Sequence, residues 1–86
     1  MPTLDVVALV ERGAVRLELP PQQVRIVALI AQDYANKRIA AEMFISENTV
    51  DSHVMKSFRR LDVHSRVALV VACVAAGIDG GQHEVD

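Results

Sequence analysis

Residues 44–54 read FISENTVDSHV, and the polar side chains in and just beyond this stretch have one chemistry in common. They can make hydrogen bonds to base edges or pair with phosphate. Asn48, Thr49 and Ser52 both donate and accept; Lys56, Arg59 and Arg60 are permanent donors, and His53 can donate. Met55 could meet a thymine methyl group, and Asp51 could accept from a cytosine amino group. The bland alternative for Asp51 is an anion early in a helix, which the dipole favours. Covalent chemistry is not indicated, because no nucleophile–base pair or glycine-rich phosphate loop accompanies these residues. His53, His64 and Cys73 are spaced by eleven and nine residues, which matches no zinc pattern. No catalytic residue, metal or cofactor is expected, and Cys73 reads as a small core residue.

For these side chains to act together they must share one face of a helix. Ser46 is a good N-cap, and Glu47 suits the positive end of the dipole. A helix over 47–62 then turns Val50, Val54, Phe58 and Leu61 inward as a narrow stripe. Asn48, Ser52, Met55, Lys56 and Arg59 fall opposite, flanked by Asp51, His53 and Arg60. A shorter helix over 36–43 precedes it, joined through an apolar hinge, Phe44-Ile45. Upstream, a helix from Pro21 to about Gln32 opens on Pro20-Pro21. A first helix is expected over 3–12, capped by Thr3 and stopping before Gly13. The strict alternation of AVRLEL (14–19) suggests an extended piece after it. Downstream, Ser65 caps a last helix over 66–76, ended by Gly77, and the Gly-rich acidic tail is expected to be disordered.

Composition sets the limits. Eighty-six residues hold one domain, and with 51% apolar but only 3% aromatic residues its core must be aliphatic. The longest apolar run, Val67 to Ala76, is about half of a membrane span, and a lone cysteine suits a reducing compartment, so a cytoplasmic protein off the membrane is expected. The formal net charge of −2 disfavours indiscriminate nucleic-acid binding. Its distribution is uneven, however: residues 36–66 carry six cations against four carboxylates, whereas 67–86 carry three carboxylates and no Lys or Arg.

Residues 19–76 resemble the LuxR-type (GerE-type) helix-turn-helix domain. The resemblance runs through LPPQQVRIVALIAQ, NKRIAAEMFISENTVDSHV and RRLDVHSR. It implies an all-α fold of four helices (19–77), behind an N-terminal extension (1–18) and ahead of an acidic flexible tail (78–86). It also implies that helix 36–43 braces across a DNA backbone while helix 47–62 enters the major groove. The family's base-contact positions correspond to Asp51, Ser52 and Met55, and His53 matches a histidine that looks like a phosphate contact. With none of the three base-contact residues basic, Lys37, Arg38, Lys56, Arg59, Arg60 and Arg66 must supply affinity. The chain departs from the pattern at Pro20 (usually Thr), Gln23 (usually Glu), Asp33-Tyr34 (usually a Gly) and Asp51 (usually Lys or Arg).

The last helix is apolar all round, so one core cannot cover it. Val67, Val70, Val71 and Val74 are expected at a homodimer contact, which the family commonly makes there; the competing explanation is that the N-terminal helix folds back over it. The function expected is a transcriptional regulator binding double-stranded DNA as a homodimer. The alternative is a protein-interaction module on the same scaffold, its reading helix made acidic and apolar by Asp51 and Met55.

Overall fold

The computed structural model describes residues 5–83, with side chains to Ile78. Among the described residues five helices form in order: α1 (Val6–Arg16), α2 (Pro21–Ala31), α3 (Asn36–Met43), α4 (Glu47–Leu61) and α5 (Arg66–His83). Thr3 lies outside the described residues, and Asp5 caps α1 instead, its carboxylate accepting from the Ala8 amide at 3.2 Å. Pro21 takes the first position of α2, where no amide donor is needed. Ser46 and Ser65 cap α4 and α5 as expected, accepting from the Thr49 and Ala68 amides at 3.0 Å each.

The four helix ends before α5 are closed in the same way. Glu18, Asp33, Phe44 and Asp62 each adopt a left-handed backbone, with φ of 63, 66, 58 and 55°. The residue after each bonds back to a carbonyl five positions earlier: Leu19 to Ala14, Tyr34 to Leu29, Ile45 to Ala40, Val63 to Phe58. These are Schellman closures, and the apolar residue following each left-handed one packs on the core. None of the four left-handed positions is a glycine, although glycine adopts that conformation most readily.

The described glycines serve packing instead, which corrects two sequence expectations. Gly13 does not end the first helix, and Gly77 does not end the last. A Cβ on Gly13 would lie 1.6 Å from the Cys73 carbonyl oxygen, and one on Gly77 would lie 2.3 Å from that of Leu9. Both positions are where α1 and α5 cross with backbones nearly touching. Arg16 tightens the crossing by donating to the Gly77 carbonyl at 3.0 Å. α5 therefore continues to His83, so residues 78–83 are helical where a flexible tail was expected; residues 84–86 lie outside the described part.

The expected extended piece at 14–19 is also absent. Ala14 to Arg16 complete α1, and the chain turns at Leu17-Glu18. Val15 is exposed while Leu19 is buried, so the alternating residues do not share a face. The physical reason is hydrogen bonding: no strand stands beside it among the described residues, whereas the helix end satisfies these amides locally.

The core is aliphatic, as composition requires. Val10 and Ala14 from α1 meet Ile26 and Val27 from α2, Ile39 from α3, Val50 and Val54 from α4, and Leu69 and Cys73 from α5. Burial pushes the Cys73 thiol up from 9.0 to about 11. One polar contact is sealed inside. Ser57 of α4 lies 3.0 Å from Gln23 Oε1 of α2 and 2.9 Å from the His53 carbonyl. Its single hydroxyl proton satisfies one of these two acceptors at a time.

Candidate nucleic-acid interface

α3 and α4 pack against each other and are joined by a turn that holds the left-handed Phe44 and half-buried Ile45. Ile45 joins the core, but Phe44 is 94% exposed, so only one of the hinge pair packs. α4 is oriented by its inward side. Val50, Val54 and Ser57 are buried, and Phe58 and Leu61 are half-buried. The stripe expected from the sequence is therefore present, with Ser57 added. That residue was missed, though it stands seven positions after Val50, a spacing that returns to the same face.

Asn48, Thr49, Asp51, Ser52, Met55, Lys56, Arg59 and Arg60 are all exposed. At about 100° per residue, Asn48, Ser52 and Arg59 point directly away from the core. Asp51 and Met55 form one edge of this face, and Thr49, His53, Lys56 and Arg60 form the other. One edge is acidic and apolar, and the opposite one is cationic. Thr49 is partly committed to the cap, its Oγ1 lying 2.9 Å from Ser46 Oγ. His53 is half-buried, and its Nδ1 is buried without a partner.

Lys37 and Arg38 are exposed on the first turn of α3, with the Arg38 guanidinium carbon 3.9 Å from the centroid of the Tyr34 ring. Arg66 differs from the other cations. It is half-buried and donates to Asn36 Oδ1 and to the Tyr34 carbonyl, both at 2.7 Å. These tertiary partners left no local signal in the sequence.

α5 divides its circumference three ways. Leu69 and Cys73 face the core and Gly77 faces α1. Val67, Val71, Val74 and Ile78, spaced i, i+4, i+7 and i+11, form a stripe on the remaining side. Val67 is 74% exposed and Val71 59%. Val70 and Val74 are half-buried, and Val70 turns toward Ile30 and Ala31 in a groove of about 270 Å³. The N-terminal helix thus covers part of α5 and leaves one apolar strip open. Among the described residues, no single helix is long and apolar enough to cross a membrane.

A short helix, a three-residue turn and a capped helix with an open polar face define a helix-turn-helix domain. The model of the family described as "Bacterial regulatory proteins, luxR family" matches residues 17–73, and the chain belongs to that family. It is 45% identical over 53 residues to a nitrate/nitrite response regulator protein homolog of Haemophilus influenzae, covering 62% of this chain and 26% of that protein. It is 36% identical over 59 residues to the spore germination protein GerE of Bacillus subtilis, covering 69% of this chain and 80% of that one. The nitrate/nitrite response regulator protein NarP of Escherichia coli is 38% identical over 53 residues, covering 62% and 25% respectively. The match therefore spans most of GerE but only about a quarter of the two nitrate/nitrite regulators. No solved structure matches the chain.

Proposed function

We propose that this domain binds double-stranded DNA and regulates transcription, with α4 in the major groove and the start of α3 against the backbone. The observation that carries this reading is the outward face of α4, held open by a buried stripe, with Arg59 on its midline and Lys56 and Arg60 along one edge. Asn48 and Ser52 stand at its centre, where base edges would lie. Membership of a family of bacterial regulatory proteins supports it. His53, half-buried at the cationic edge, fits a phosphate contact. Titration of random duplex DNA at rising salt tests the proposal. Each neutralised phosphate adds about 0.9 to the log–log slope, and no binding at low salt overturns it. That outcome would favour the alternative, a protein-binding module using the Asp51–Met55 edge and the exposed Phe44.

The active form we propose is a homodimer joined along Val67, Val71, Val74 and Ile78. The pairing spacing is that of a helix seam, and burying these side chains against a copy removes an exposed apolar strip from water. Two half-sites would then stand about 10 base pairs apart. Val71→Asp, at a position already exposed, should yield a folded monomer by light scattering; an unaltered chain that is monomeric at high concentration overturns the dimer.

A further inference from the structure

We propose that Arg66 is a positioning residue, which sets the start of α3 so that Arg38 is presented to DNA, in place of a direct phosphate contact. The inference rests on the DNA-binding reading above. α3 begins without a side-chain cap, at Ala35, two residues after the left-handed Asp33 that closes α2. No local hydrogen bond from a capping side chain fixes this junction, and Arg66 supplies the missing hold from another helix. One terminal nitrogen of its guanidinium donates to Asn36 Oδ1 and the other to the Tyr34 carbonyl, each at 2.7 Å. Arg66 is itself fixed as the first residue of α5, between the Ser65 cap and the fully buried Leu69. Tyr34, held by its carbonyl, places its ring beneath the Arg38 guanidinium at 3.9 Å. The contacts run from α5 through Arg66 to Tyr34 and Arg38. The helix carrying the pairing strip is thereby joined to the helix bracing the backbone.

A forked donor is required here. Lysine keeps the charge, but its three N–H donors share one nitrogen on a flexible stem, so it lacks the two fixed terminal nitrogens that each take one acceptor here. This separates a positioning role from a phosphate contact, which lysine would serve. In the free protein, the Arg38 side-chain NH resonance should carry a ring-current shift from Tyr34 that Arg66→Lys removes and unaltered Arg66 retains. In DNA titration, Arg66→Lys should weaken binding about tenfold, and much less when Arg38→Ala is already present. Asn36→Ala, which removes one acceptor and leaves every cation in place, should reproduce part of both effects and serves if the arginine variant unfolds. Retention of the ring-current shift in Arg66→Lys overturns the proposal, as do unchanged affinity or losses that multiply independently with Arg38→Ala. Failure of the unaltered chain to bind DNA sinks the DNA reading itself, and the free-protein resonance tells that failure apart from failure of the clamp.

Discussion

Replacing Gly13 by alanine should destabilise the domain, although alanine is the better helix former by about 1 kcal/mol. The added Cβ would sit 1.6 Å from the Cys73 carbonyl oxygen and 2.9 Å from the Gly77 amide nitrogen. Both obstacles are backbone, so no rotamer change relieves them, and α1 must retreat from α5 by more than an ångström. That retreat loosens Val10 and Ala14, which are fully buried against α5 and α2. Overpacking of this kind costs about 3 kcal/mol. Subtracting the propensity gain leaves a net loss of about 2 kcal/mol, or roughly 10 °C in Tm for a domain of this size. Thermal unfolding followed by far-ultraviolet circular dichroism reads this directly. A Gly13→Ala protein as stable as the original, or more so, would refute the close crossing of α1 and α5.

Three further outcomes are expected. Because burial raises the Cys73 thiol from 9.0 to about 11, the folded state keeps a proton that the unfolded chain releases between those values. Its contribution is full below pH 9 and fades as pH rises through 11, so the stability advantage over Cys73→Ala in urea titration should narrow by about 2 kcal/mol between pH 8 and 10.5; a constant gap contradicts this. Phe44→Gly should stabilise the fold by about 1 kcal/mol, since glycine relieves the left-handed backbone and a side chain 94% exposed loses no burial; a lower Tm would count against it. Asp51→Lys should strengthen binding to random DNA and steepen its salt dependence by about 0.9 without unfolding the domain, whereas loss of only cytosine-containing sites would make Asp51 a base reader.

α4 was legible from sequence because its signals are local and agree. A serine cap and a stripe recurring every three or four residues place its start and its buried face, with an end one residue from that observed. The helix over 36–43 was legible for the same reason. The glycines misled, because a glycine marks either a left-handed turn or a close backbone approach, and only the partner helix distinguishes them. Here Gly13 and Gly77 meet across the α1–α5 crossing, while the turns fall to Glu18, Asp33, Phe44 and Asp62. A better local signal was present: Leu19, Tyr34, Ile45 and Val63, each an apolar residue directly after the turn. The uniformly apolar last helix could not reveal which side α1 takes. The open face of the candidate site was readable, but the Arg66 fork was not, since its partners lie about thirty positions away in sequence.

Amide chemical-shift mapping during titration with duplex DNA tests most directly whether the outward face of α4 meets a double helix. Shifts are expected at Asn48, Ser52, Lys56 and Arg59 and at Lys37 and Arg38, with Val67 and Val71 little changed. Shifts confined to the Val67–Val71 strip, or none on α4 at saturating DNA, would contradict that contact.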